Sequence, residues 1–282
     1  MFPEIEQKHG SLIRGMLHRK EQQKQAATNS NGKRMPMFYS LRGGVEQLTE
    51  AIQSRLCIKQ LLNSRARSVT RDGDAYAITL ENGERISADE IVFATPAYVT
   101  ADLVEQTAPE LASRLRGIRY VSVANVSLGF RREDIPPTIK GYGFVVPPTE
   151  GRKITACSIS SLKFNNRAVD EDILFRVFIG GAHAEPLATL DEAELIEIAR
   201  EELRTMLKIT AAPLVARAYR WNKSTPQYEV GHRVRVAAIE QSVAAFAGWH
   251  LAGAAYRGVG IPECIESGLR AAQAIVSRLN LI

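Results

Sequence analysis

The chain of 282 residues carries 36 Lys+Arg, 31 Asp+Glu and 45% hydrophobic residues. This is enough apolar content for a buried core, and it excludes a disordered or low-complexity protein. Of the formal charge of +5, most sits in residues 1–34, which hold seven basic and three acidic side chains, while the remainder is nearly neutral. A nucleic-acid binder would spread basic residues and aromatics across its folded part, so no nucleic-acid partner is expected.

No run of about 18 apolar residues offers a transmembrane helix. The opening MFPEIEQKHG lacks a basic segment followed by an apolar one, so no signal peptide is expected. Cys57, Cys157 and Cys264 are far apart and form no CxxC pair, which fits a reducing, cytoplasmic setting.

In chain order, residues 4–25 read as a helix with a partial stripe of Ile5, Leu12, Ile13, Met16 and Leu17. The polar stretch that follows, ending at Pro36, reads as an exposed linker. Met37–Leu41 reads as a strand, Gly43-Gly44 as a turn, and Val45, Leu48, Ile52 and Leu56 fall at helical spacing. Strands are then expected at Ile58–Leu62 and Arg67–Thr70. A turn at Asp72-Gly73-Asp74 follows, and Ala75–Leu80 and Arg85–Ser87 flank Glu81-Asn82-Gly83 as a hairpin. Ile91–Ala94 is an unbroken apolar run that suits a strand buried on both faces.

Beyond it, strands are expected at Val121–Phe130, Tyr142–Val146, Ile154–Ile159, Ile173–Ile179 and Val215–Trp221. Few helices intervene, which predicts an antiparallel sheet. A helix over Asp191–Leu207 would bury Leu195, Ile198, Ala199, Leu203, Met206 and Leu207, with Asp191 as its cap. A second helix is expected from Glu229 to Phe246. Last, the strand Trp249–Ala252 runs into Gly253, Gly258, Gly260 and Pro262. A helix then spans Glu263–Leu279 with Ile265, Leu269, Ala272, Ile275 and Val276 inward. A strand, a glycine-rich turn and a helix start make a place for a polar or anionic ligand group, because free N–H groups point outward and glycine admits close approach.

These residues carry a resemblance. LAGAAYRGVGIPECIESGLRAA resembles the C-terminal flavin motif of FAD-dependent amine oxidases and protoporphyrinogen oxidases. SLRGGVEQL, LNSRARSV and IVFATPA resemble other strands of the same FAD lobe. GFVVPPTEGRKITACSISSLKFNNRA and YRWNKSTPQYEVGHRVRV resemble the substrate domain of oxygen-dependent protoporphyrinogen and coproporphyrinogen oxidases.

The resemblance implies an α/β (α+β) fold, with a partial Rossmann-like FAD lobe and an antiparallel-sheet substrate domain with helices. It divides the chain into 1–35 (helical remnant and linker), 36–100 (FAD lobe), 101–245 (substrate domain) and 246–282 (C-terminal strand and helix of the FAD lobe). It implies FAD as cofactor, contacted by Ala66, Trp221, Val259, Gly260 and Ile261. It implies porphyrinogen and O2 as reactants in heme biosynthesis, and a helical segment before the linker that touches a membrane peripherally.

One departure stands out. No GxGxxG lies in a strand–turn–helix context, so the chain is expected to be the C-terminal portion of a longer flavoprotein that, alone, folds poorly and holds FAD weakly. An amine oxidase or desaturase-like flavoprotein, and a non-catalytic basic binding protein using residues 1–34, are the alternatives.

No nucleophile–base pair stands out, so no catalytic residue is named. His9, His18, His183, His232 and His250 show no metal-ligand spacing, so no metal site is expected. His232 reads first as a turn or helix-cap residue. Arg152, Lys153, Lys163, Arg167 and Arg176 are candidates for the substrate's propionates, each reading first as an ordinary surface charge.

Overall fold

The computed structural model describes residues 8–11, 13–15, 17–18, 39–139, 141–169 and 172–280. The chain divides into two compact units, 1–51 and 52–282. In the first, residues 8–9, 13–15 and 17–18 are helical. Gly10 and Ser11, inside the helix expected over 4–25, form a bend instead, with Gly10 at φ +65°; the remaining residues of that helix, and the linker up to residue 38, lie outside the described residues. Tyr39–Leu41 is not a strand. A short apolar run becomes a strand only where a neighbour completes its hydrogen-bond ladder. The glycine turn and the helix after it do form. The Gly43 N–H donates to Gln47 Oε1 at 2.8 Å, and α1 runs Glu46–Gln53.

The second unit opens irregularly. The strand expected at Ile58–Leu62 is absent, and its residues are exposed, Leu62 to 72%. Three antiparallel strands follow: β1 (Ala66–Asp72), β2 (Ala75–Leu80) and β3 (Arg85–Ala88). Asp72 pairs with Ala75, so Gly73 and Asp74 make a two-residue turn, with Gly73 at φ +64°. β4 (Ile91–Phe93) is next. It is not buried on both faces: Ile91 and Phe93 are buried, but Val92 is 41% exposed.

Two helices that the apolar periodicity had not revealed come next, α2 (Ala97–Val104) and α3 (Pro109–Arg116). Their local signals are present. Pro109 opens α3, Glu110 sits in its first turn, Arg114 and Arg116 in its last, and Leu111 and Leu115 are buried one turn apart.

The larger sheet has five antiparallel strands: β5 (Tyr120–Arg131), β6 (Gly143–Val145), β7 (Ile154–Ile159), β8 (Asp172–Gly180) and β9 (Val215–Pro226). Their order is β6-β7-β8-β5-β9. The expected strands agree with all five, and the expected antiparallel sheet is observed. A short helix, α4 (Ser160–Lys163), and the long α5 (Glu192–Leu207) complete this region. Asp191 caps α5 as expected. Its Oδ1 accepts from the Glu194 N–H at 2.8 Å, and Glu194 Oε2 accepts from the Asp191 N–H at 3.2 Å.

Side chains alternate across the sheet. Val126, Leu128, Phe130, Phe175, Val177, Ile179, Ile154 and Cys157 point to one face, where Leu195, Ala199 and Leu203 of α5 join them in a core. Within that stripe Met206 is 36% exposed and Ile198 only partly buried. A buried carboxylate, Glu202, accepts from Arg152 Nε at 2.7 Å and from the Lys153 N–H at 3.1 Å. The sheet's other face is open.

α6 (His232–Val243) buries His232, Val236, Ile239 and Val243 along one stripe. β10 (Trp249–Leu251) pairs in parallel with β4, Trp249 opposite Ile91. A second core joins β1, β2, β4, β10, α2, α3 and α6, with Trp249 packed among Tyr76, Phe93 and Phe246. The last helix, α7 (Ile261–Arg278), corrects an expectation. Only Ser267 and Ala271 are buried, whereas Ile265 and Leu269 are about half exposed and Ala272 is exposed. The stripe is apolar, but no described element lies over it.

Candidate functional site

The site begins where β10 ends. Gly253 turns the chain at φ +108°, a conformation that L side chains rarely adopt. Its N–H donates to Ser267 Oγ at 2.8 Å, and the Ser267 hydroxyl donates to the Cys264 carbonyl at 2.8 Å, so α7 holds the turn. The connection from β9 to α6 holds the loop's other side. The Tyr228 hydroxyl donates to the Ala254 carbonyl at 2.6 Å, and His232 Nε2 faces the Tyr256 carbonyl at 3.0 Å. The two rings stack at 3.9 Å. A carbonyl accepts only, so Nε2 carries the proton. His232 stands at the start of α6, as a helix-start residue anchoring the loop.

The loop then reaches Gly260, which caps α7, with Pro262 in the first turn. Val259 is 58% and Ile261 48% exposed on either side of Gly260. A Cβ at Gly258 or Gly260 would collide with the Glu263 side chain, which folds back over the helix start. The three expected cofactor residues therefore form one small surface, apolar on its flanks and polar at the backbone.

At the far end of α7, the guanidinium of Arg278 meets one oxygen of Glu90, and His250 Nε2 lies 2.8 Å from the other. Burial pushes the Glu90 carboxyl up, but hydrogen bonds from His250 and Arg278, with the charge of Arg278, outweigh it and hold the group below its ordinary range. This clamp joins β4, β10 and α7, and so fixes the frame of the glycine loop. Burial also pushes the Tyr256 phenol far up, which keeps it neutral.

Ala66 opens β1 opposite Leu80 and packs half-buried against the second core. Trp221 lies on β9 opposite Val123 and is half exposed on the open face of the large sheet. The expected residues thus occupy three elements of one compact unit.

Of the candidate cations, Arg152 is tied to Glu202, and Lys163 and Arg167 lie beside the Phe164 ring at 5.4 and 5.9 Å. Arg176 stands exposed in the middle of the open sheet face. His183 is exposed in the turn after β8. Among the described residues, no helix is long and apolar enough to cross a membrane.

The fold presents a glycine-framed helix start, a parallel strand pair and an antiparallel sheet with one free face, and residues 4–276 match the family of flavin containing amine oxidoreductases, a class of oxidoreductases. The chain belongs to that family. A coproporphyrinogen III oxidase of Bacillus subtilis is 31% identical over 269 residues, covering 95% of this chain and 56% of the relative. A mitochondrial protoporphyrinogen oxidase of Nicotiana tabacum is 29% identical over 308 residues, covering 100% of this chain and 61% of the relative. A crystal structure from Exiguobacterium sp., assigned as a protoporphyrinogen oxidase, superposes with a TM-score of 0.80 at 27% identity, over 97% of this chain and 57% of that one. The chain therefore spans a little over half the length of these relatives. Membership bears out the expected fold class and the expected cofactor, FAD.

The residues present fit one part of that cofactor. Glu263 brings negative charge to the start of α7, which disfavours a pyrophosphate there. An uncharged group with a polar edge suits this surface better.

Proposed function

We propose that the protein oxidises a porphyrinogen, coproporphyrinogen III or protoporphyrinogen IX, to the porphyrin, with FAD as the immediate oxidant and O2 as the final one. The observation that carries this reading is the free face of the large sheet. It is a broad surface on which Tyr219 and Phe178 share one register line and Trp221 stands on the next, within the same unit as the glycine loop. A flat macrocycle matches such a surface. The names of the relatives support the same substrate class.

In this reading, residues 36–100 and 246–282 hold the cofactor and residues 101–245 hold the macrocycle. Val259, Gly260 and Ile261 would hold the flavin ring, and Trp221 would contact it. The small side chain of Ala66 leaves room for the adenine. When bound, FAD accepts hydride from the macrocycle and passes electrons to O2, giving hydrogen peroxide. The aromatic face excludes water and sets the macrocycle's orientation. No side chain is assigned as acid or base. The basic excess of residues 1–34 supports peripheral contact with an anionic membrane surface.

The test is aerobic incubation of the FAD-loaded protein with each porphyrinogen, read as porphyrin fluorescence. Fluorescence rising with neither substrate, alongside oxidation of a primary amine, would replace this reading with an amine oxidase. Trp221→Ala is expected to weaken FAD binding about tenfold, on the scale of losing one buried aromatic contact. Salt-sensitive sedimentation with anionic vesicles tests the membrane contact.

A further inference from the structure

The open sheet face is polar along one line. Register places Gly143, Ser158, Arg176, Ser127 and Arg217 side by side across the five strands β6, β7, β8, β5 and β9. Paired residues of an antiparallel sheet point to the same side. Arg176 and Arg217 are exposed. Two strand spacings separate them, about 10 Å.

One carboxylate lies beside the row: Glu192 Oε1 accepts from the N–H of Ala218, next to Arg217 in the chain, at 3.2 Å. Among the described residues, neither guanidinium meets a carboxylate, and Arg217 donates only to the carbonyl of Ala216 at 3.1 Å. Asp172, also on β8, stands opposite Arg131, four residues from Arg176. Arg176 stands on the central strand β8 and Arg217 on the edge strand β9, both on the open face, so their charge faces what covers this surface.

The adjacent line, two residues along each strand, is of another kind: Val145, Ala156, Phe178, Asn125 and Tyr219. It is apolar and aromatic apart from Asn125. That amide is more than nine-tenths buried, and its Oδ1 has no donor. A buried acceptor left unmatched costs free energy. One line further, Trp221 stands opposite Val123. The face therefore reads, from Trp221 outward, as an aromatic contact, an apolar line with one bare acceptor, and a cationic line.

We propose that Arg176 and Arg217 form a carboxylate-binding row, which holds two acidic side chains at one edge of a flat macrocycle lying over Phe178 and Tyr219. The row rests on the porphyrinogen reading. It adds to that reading the orientation of the substrate: acidic edge toward Arg176 and Arg217, opposite edge toward Trp221. Each guanidinium offers a planar pair of donors to a carboxylate. The serines between and beside the arginines supply further donors.

The test uses the full chain and two stable, fluorescent probes, coproporphyrin III and its tetramethyl ester, in direct binding titrations that do not depend on turnover. The free acid is expected to bind about tenfold or more tighter than the ester, as for charge-assisted hydrogen bonds. Arg176→Gln and Arg217→Gln should each weaken the acid about tenfold and leave the ester unchanged, which also reports that the variant is folded. Arg176→Lys should retain part of the affinity. Arg220→Gln, which removes the same charge from the neighbouring strand position, should change neither probe.

Equal affinity for acid and ester, unchanged affinity in the Arg176 and Arg217 variants, or an equal loss in Arg220→Gln would overturn the row while leaving macrocycle binding in place. Failure of the wild-type chain to bind either probe would overturn both.

Discussion

The two cores of this protein are built by opposite means. Around the large sheet, α5 lays Leu195, Ala199 and Leu203 over strands that already bury Phe175, Val177 and Ile179, and the region covers its own apolar stripe. Around β4, β10 and α7, elements of equal amphipathic quality remain half bare. Val92, Val259, Ile261, Ile265 and Leu269 are all at least 41% exposed. An apolar stripe marks a face that wants covering, and the cover must be supplied from elsewhere in the structure or by a ligand. The complete region is the one with the free aromatic face. The incomplete one carries the glycine loop.

The contrast is most sharply tested by truncation in each region. Phe175 is fully buried and meets Phe130 edge-on at 5.9 Å. Phe175→Ala should cost about 3–5 kcal/mol in urea unfolding, whereas Leu269→Ala on α7 should stay within about 0.5 kcal/mol. A large loss at Leu269 would mean that α7 is covered after all.

Next in size is the clamp at the incomplete side. Glu90→Gln should cost about 1–2 kcal/mol near neutral pH, discounted from a fully buried pair because Arg278 is partly exposed. Because the folded state holds the Glu90 carboxyl below its ordinary range, its contribution is full above that range and is lost as pH falls through it and below. Wild type and Glu90→Gln should therefore converge in stability in acid. A gap that persists there would show that shape, and not charge, is what the clamp supplies.

A smaller effect belongs to the complete side. Asp191→Ala removes the capping box of α5 and should lower stability by about 1 kcal/mol. Last, burial pushes the Cys157 thiol up to about 12, while Cys57 is exposed. At pH near 8 a thiol reagent should label Cys57 quickly and Cys157 only as the sheet unfolds. Early labelling of Cys157 would mean that the larger core opens more readily than its packing indicates.

Legibility in the sequence followed the same division. β7 begins and ends at the residues expected, and α5 begins at its expected cap, because these signals are local and their covers are close at hand. The glycine loop before α7 was legible too, since glycine is the residue that takes the φ of +108° seen at Gly253 without steric cost. Strands expected at 37–41 and 58–62 were not borne out at the described residues, since apolar content does not say whether a ladder partner exists. α2 and α3 were overlooked although Pro109 and the charges of α3 announced a helix.

Of the candidate site, Val259, Gly260 and Ile261 were readable as one segment. The supports from Tyr228 and His232 were not, being 26 and 24 residues from the carbonyls they face. The Glu90–His250 contact spans 160 residues.

By itself, then, the sequence determined the elements whose causes are local: alternating strands, the capped helix, the two-residue turn at Gly73 and the glycine-framed helix start, together with the motifs that mark the family. Only the tertiary structure decided which faces are covered, which charges meet, and that Arg176 and Arg217 stand in one row across three strands. Those outcomes depend on register and on contacts between distant segments, and the energy of such a contact is absent from either segment alone.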